Sequence, residues 1–157
     1  MVDDELRGMM DGSRFDRAKQ ETTRRLKTAK QNIDSFNNDI LQKQYRSQAS
    51  LDTLALRYID NQLVLLRYQR EDALQDDDNR RVDELQKGIM GMTVIVLAYA
   101  SSNFRPLADH MQTQAATYRA EADQTEERQK ASRLENLAEK YGEISDRLRR
   151  LPPRGKK

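Results

Sequence analysis

The chain has 157 residues and a formal net charge of +2, with 34% of its residues charged and 36% hydrophobic. This length fits one domain, and so much charge with only three Pro, six Gly and no Trp is typical of long solvated helices with narrow apolar seams. The absence of cysteine excludes a disulfide scaffold and any Cys-ligated zinc or iron–sulfur site.

The N-terminus, MVDDELRGMM, has no basic segment followed by an apolar one, as a secretion signal would require. We therefore expect an intracellular, cytoplasmic protein or a virion component rather than a secreted one.

Charge is distributed in blocks along the chain. Residues 14–46 carry nine Lys or Arg against four Asp or Glu, and 147–157 carry six basic residues and no acid. Acidic residues dominate 70–84 by seven to three and 121–146 by eight to four. Such blocks indicate which segments face one another or face an anionic partner.

The first predicted helix is long. Residues 1–12 are acidic and contain two glycines, which predicts a flexible lead before a single helical domain over 13–150. Ser13 is a candidate N-cap for a helix that reaches about residue 74. Its apolar or small residues recur at steps of four and three, as in a coiled-coil seam: Thr22, Leu26, Ala29, Ile33, Phe36, Ile40, Leu51, Leu54 and Tyr58. The seam is polar over 44–50, where we expect a weakened but continuous helix, with a kink or a break capped by Ser50 as alternatives.

Two further helices are predicted after a turn at 75–79, where Asp78 or Asn79 can cap the next helix. The second helix covers about 80–101 and runs into 88–104, the uncharged segment of an otherwise charged chain. Pro106 suits the first turn of a third helix, predicted over 106–150. Pro152 and Pro153 end it, and residues 151–157 are predicted to be a basic disordered tail.

The turn at Asp77 supplies a test of the topology. Folding the chain back there sets residue i beside residue 154 minus i, so that apolar 51–68 faces 86–103. The same register sets basic 14–33 against acidic 121–140, and the weak segment 44–50 against Pro106. These matches predict an all-α fold, a long antiparallel helical hairpin with coiled-coil seams. Folding of both arms at the two weak points would instead give a four-helix bundle, and the sequence leaves both possibilities open.

The uncharged segment allows three interpretations. Its strictly apolar part, 89–100, is shorter than the roughly twenty residues that span a bilayer. As a strand it has no predicted partner. We therefore expect a helix buried on all sides, with Gly88 and Gly91 allowing close backbone approach. Because two helices alone cannot cover Leu56, Leu63, Val94 and Leu97, oligomerisation is favoured. The residues expected in the core or in an oligomer interface are Leu54, Tyr58, Leu63, Leu66, Ile89, Met92, Val94, Val96 and Leu97.

Catalytic chemistry is not predicted. His110, the one histidine, is interpreted as a solvated or partner-facing side chain near a helix start, and the acidic turn as a helix cap rather than a cation site. No catalytic, cofactor-binding or metal-ligating residue and no small-molecule substrate are proposed.

An anionic partner is suggested by the basic residues of the first helix and of the C-terminus. The candidates are Arg14, Arg17, Arg24, Arg25, Lys27, Lys30, Arg149, Arg150, Arg154, Lys156 and Lys157. The alternative for those on the helix is ion pairing across the hairpin with acids of 121–135. The leading functional hypothesis is a non-enzymatic helical structural or adaptor protein that self-associates or joins a helical protein partner. The alternatives are an architectural, sequence-nonspecific nucleic-acid-binding protein and, with less support, a membrane-peripheral helical protein.

Overall fold

A computed structural model describes the backbone of residues 2–42 and 48–152 and the side chains of 14–42 and 50–152. These residues form five helices: α1 (Val2–Gln42), α2 (Gln48–Gln75), α3 (Asn79–Ala100), α4 (Arg105–Gln124) and α5 (Arg128–Arg150). No strand occurs within the described ranges. The predicted all-α class, a helical hairpin or bundle, is confirmed.

The first helix begins earlier than predicted. The backbone is already helical at Val2, where the sequence suggested a flexible lead over 1–12. A glycine inside a helix costs roughly 1 kcal/mol relative to alanine, so Gly8 and Gly12 weaken the first part of α1 without ending the helix.

The predicted continuous helix from 13 to 74 is wrong. Lys19, in the first half of α1, binds Asp76, the residue that follows the end of α2. Asp39, near the end of α1, binds Arg57 in the first half of α2, at 2.6 Å. The two helices are therefore antiparallel, and the chain reverses between Gln42 and Gln48, with 43–47 outside the described residues. The reversal is favoured because it buries Phe36 and Ile40 of α1 together with the first turns of α2.

The second reversal was predicted correctly. Asp77 adopts a positive φ of 55°, and the Asp78 side chain caps α3 by accepting a hydrogen bond from the Arg81 backbone N–H at 3.2 Å. The predicted pairing of i with 154 minus i holds for α2 and α3: a Cβ added at Gly88 would lie 3.3 Å from the Leu66 side chain. Helix α2 thus packs between α1 and α3.

The third predicted helix, 106–150, is instead two helices. Helix α4 ends at Gln124, and α5 runs back along it, so that the Ser145 hydroxyl donates to the Ala108 carbonyl at 2.7 Å. The reason is again burial, since one apolar face from each helix becomes fully covered. The buried residues are Leu107, Ala108, Met111, Ala115 and Ala122 of α4 and Leu134, Leu137, Ala138, Tyr141, Ile144, Ser145 and Leu148 of α5.

The core lies where the α4–α5 hairpin packs onto α1 and α2. Phe36, Tyr58 and Tyr141 meet there, with ring centroids 5.7–6.2 Å apart. The Tyr141 hydroxyl donates to Asn37 Oδ1 at 2.6 Å, and Asn37 Nδ2 donates to the Tyr118 hydroxyl at 3.1 Å. The arms are therefore folded, as in the bundle alternative, but five helices contribute rather than four.

Candidate protein interaction surface

Helix α3 lies at an edge of the bundle and is covered on one side. It packs along α2 and touches α4 near their junction, and its buried residues are Met92 and Tyr99. On the opposite side, Met90, Val94 and Leu97 are 60%, 62% and 63% exposed. Their spacing of four and three places them in one stripe along the helix. We call these three residues the outer face of α3.

The orientation of α3 is fixed from both ends. At its start, Asp78 supplies the cap, and Arg81 donates to Asp72 of α2 at 3.1 Å. Near its end, the Tyr99 hydroxyl donates to Asp52 of α2, and the Tyr99 ring packs edge-on against Phe104 with centroids 5.1 Å apart. These contacts at both ends orient α3 so that its outer face points away from α2.

The prediction that the uncharged segment is buried on all sides is therefore wrong. A helix at the edge of a layer meets neighbours on one side, and no other described helix packs onto the outer face. Leu56, Val94 and Leu97, which a two-helix hairpin was predicted to leave uncovered, are exposed in the folded chain too, so folding of the two arms does not cover them. Leu63, also in that set, is half-buried.

The predicted core or interface residues divide into three groups. Tyr58 and Met92 are buried. Val94 and Leu97 belong to the outer face and not to the core. The remaining ones are half-buried on α2 and α3: Leu54, Leu63, Leu66, Ile89 and Val96.

The two glycines of α3 differ in what surrounds them. Gly88 sits against Leu66, so its missing side chain allows α2 and α3 to approach. Gly91 is exposed, and a Cβ there would meet no described atom within 4 Å. A glycine in the middle of a helix costs roughly 1 kcal/mol relative to alanine, and nothing in the described chain benefits from this one.

The basic residues of α1 do not pair with the acidic segment 121–140, contrary to that alternative. Lys19 binds Asp72 and Asp76 of α2, while Arg24 and Arg25 both bind Glu21. These two hydrogen-bonded guanidinium groups lower the pKa of the Glu21 carboxyl to about 2. Arg25 also donates to the Tyr68 hydroxyl at 2.6 Å and lies over its ring.

The other predicted cations of α1 remain accessible. Arg14, Arg17, Lys27 and Lys30 are exposed and form no ion pair with any side chain that the structure describes. At the other end of the domain, Arg149 binds Asp109 at 2.6 Å and Arg150 is exposed. The tail candidates Arg154, Lys156 and Lys157 lie outside the described residues.

His110 is not the solvated side chain that the sequence suggested. It is half-buried on α4 with its ring centroid 5.6 Å from that of Tyr58. Burial lowers its pKa because desolvation disfavours the imidazolium. Both His110 Nε2 and the Tyr58 hydroxyl are buried without a hydrogen-bond partner in the described part of the chain.

Within the described ranges, no group of three or more His, Asp or Glu side chains is arranged to hold a metal ion. None of the described helix segments combines the length and the apolar character needed to cross a membrane.

Comparisons with known proteins give no relative: no protein-family model, curated protein or solved structure matches this chain. The outer face of α3 and the free cations of α1 therefore carry the functional argument.

Proposed function

We propose that this chain is a non-enzymatic helical structural or adaptor protein that associates with a second copy of itself through the outer face of α3. The observation that carries the proposal is the stripe of three apolar side chains, each about 60% exposed, in a segment without charge. Contiguous exposed apolar surface of this kind is typical of interaction sites.

A second copy suits this surface because the surface is self-complementary. The segment 88–104 has no charged residue, so pairing it with itself buries no unpaired charge. Covering the exposed part of a Val, Leu or Met side chain contributes about 1 kcal/mol or more. Six such side chains offset a large part of the entropy lost on association, so we expect a weak dimer whose population depends on protein concentration.

Sedimentation equilibrium tests the proposal over a concentration series that spans the micromolar range. The wild type should shift from monomer to dimer, and Val94→Asp should remain monomeric because dimerisation would bury its carboxylate. Leu74→Asp is the matched control: Leu74 is 53% exposed but lies on α2, away from the outer face. It should dimerise like the wild type. A wild type that stays monomeric throughout would refute self-association.

Binding of a polyanion such as duplex nucleic acid is the second candidate function, and the four accessible cations of α1 favour it. Two of them, Arg17 and Lys27, share one exposed side of the helix with Arg24, which lies between them and also binds Glu21. Contacts of this type neutralise phosphates without reading sequence.

Fluorescence anisotropy with random duplex DNA at several salt concentrations tests this candidate. Changing Arg17 and Lys27 to Glu should weaken binding and reduce the salt slope by about two units. The same charge change at Arg119 and Arg128, which are exposed on α4 and α5, is the control and should have less effect. Equal effects of both double variants would contradict a site on α1.

A further inference from the structure

We infer that the two copies pair antiparallel along α3, with the twofold axis passing beside Val94. This inference rests on the proposed self-association and adds its direction and register. Two features of the chain support it: the placement of small residues, with the free space at Gly91, and the placement of charges.

Small and large residues alternate so that an antiparallel pair interlocks. Gly91 lies three residues before Val94 and Leu97 three residues after it, so Leu97 of one copy is level with Gly91 of the other. In the same way, Met90 of one copy is level with Ala98 of the other. Each large side chain thus meets a small residue, which is how packed helices fit side chains into the spaces of the facing helix.

The pairing also accounts for Gly91. This glycine is exposed, and a Cβ there would meet nothing within 4 Å in the described chain. A Leu97 side chain from a second copy would occupy that open space. The space left by a missing side chain is then used between molecules at Gly91 and within the molecule at Gly88.

Charges flanking the segment are complementary only when the helices run in opposite directions. Asp83 lies near the start of α3, and Arg105 opens α4 just past the turn that ends α3, so an antiparallel pair brings the Asp83 end of one copy beside the Arg105 end of the other twice. Both are exposed, and neither forms an ion pair with the described side chains. A parallel pair would instead set Asp83 beside Asp83 and Arg105 beside Arg105, and like charges repel.

The regions around the two ends of α3 carry opposite charge. Segment 76–84, at the start of α3, has five acidic and two basic residues. At the other end, a groove lined by Ser102, Phe104, Arg105, Leu148, Arg149 and Leu151 places the basic end of α5 beside the start of α4. Antiparallel pairing therefore sets an acidic end against a basic end on both sides of the axis.

Cross-linking of single-cysteine variants tests the direction, because the natural chain has no cysteine. Asp83→Cys and Arg105→Cys proteins are mixed in equal amounts, treated with a short bis-maleimide and analysed by mass spectrometry. We expect the mixed dimer to dominate. The Asp83→Cys protein alone should cross-link poorly, since the two positions would lie about 33 Å apart in an antiparallel pair. Dominant homodimers of the Asp83→Cys protein would overturn the inference.

Charge reversal gives a second measurement. Asp83→Arg and Arg105→Asp should each raise the dimer dissociation constant on the order of tenfold, because each creates two like-charge contacts per dimer. The double variant should recover an affinity close to that of the wild type. Failure of the double variant to recover would count against the antiparallel arrangement.

The two proposals fail in distinguishable ways. A wild type that does not dimerise refutes the proposed function. A wild type that dimerises and is disrupted by Val94→Asp, but cross-links as Asp83→Cys homodimers, keeps the proposed function and refutes the antiparallel arrangement.

Discussion

Two buried tyrosines in contact with each other predict opposite responses to loss of their hydroxyls. Tyr58 and Tyr141 are at most 1% exposed, and their ring centroids are 5.7 Å apart. The Tyr141 hydroxyl donates to Asn37 Oδ1 at 2.6 Å, whereas the Tyr58 hydroxyl has no partner in the described structure. Burial raises the pKa of both phenols, so both are neutral at physiological pH.

The expected change in the free energy of unfolding depends on whether removing the hydroxyl leaves a buried group without its hydrogen-bond partner. Tyr141→Phe removes a buried donor and leaves Asn37 Oδ1 unsatisfied, which should lower the free energy of unfolding by about 1–3 kcal/mol. Tyr58→Phe removes a buried hydroxyl that makes no hydrogen bond, so the free energy of unfolding should be unchanged or higher. Each substitution deletes one oxygen from the same cluster, and each variant is therefore a matched control for the other.

Equilibrium urea denaturation measures the difference. Both variants should keep the m-value of the wild type, which would show that the compactness of the folded and unfolded states is unchanged. The variants should be compared at one low protein concentration, because dimerisation adds to apparent stability. A Tyr58→Phe variant that loses as much stability as Tyr141→Phe would refute the assigned hydrogen bonding of this core.

The remaining predictions concern the outer face and His110. Leu97→Ala should change the free energy of unfolding of the monomer by less than about 0.5 kcal/mol, because that side chain is mostly exposed, whereas Leu148→Ala should lower it by about 2–5 kcal/mol. Gly91→Ala should stabilise the monomer by up to about 1 kcal/mol through helix propensity while weakening the dimer, a pair of effects that thermal unfolding and sedimentation separate. Since burial lowers the pKa of His110 below its usual value of 6.5, the unfolded state takes up that proton first. The stability contribution of the neutral imidazole is therefore complete above pH 6.5 and is lost as the pH falls from there through the lower pKa of the folded protein, which urea titrations between pH 7.5 and 5.5 should detect.

For each of these predictions, a different result would contradict the reasoning. A loss above 2 kcal/mol for Leu97→Ala in the monomer would place that side chain in the core. A Gly91→Ala variant that dimerises more tightly than the wild type would exclude a close approach of the second copy at Gly91. His110→Gln removes the titrating group, so the pH dependence between 7.5 and 5.5 should flatten; an unchanged slope would assign it to other groups.

The sequence determined the local structure and one of the reversals. Helical periodicity, an acidic turn with a capping aspartate and a proline suited to a helix start are all set by neighbours in the chain. From these patterns the all-α fold and the turn at Asp77 could be predicted. The pairing of α2 with α3 could be predicted because two apolar segments of matching length flank that turn. The surplus apolar surface of α3 was also visible as an absence of charge.

Only the tertiary structure decided which reversals occur elsewhere and which face of α3 stays uncovered. The polar stretches near 44–50 and 125–127 fit either a weakened helix or a break, since local propensity differs little between the two. What settles them is burial of distant side chains, such as Phe36 with Tyr58 and Leu107 with Leu148 in one core. For the same reason, the position of α3 at the edge depends on α4 and α5 folding onto each other and onto α1, a long-range competition for apolar surface that periodicity does not encode.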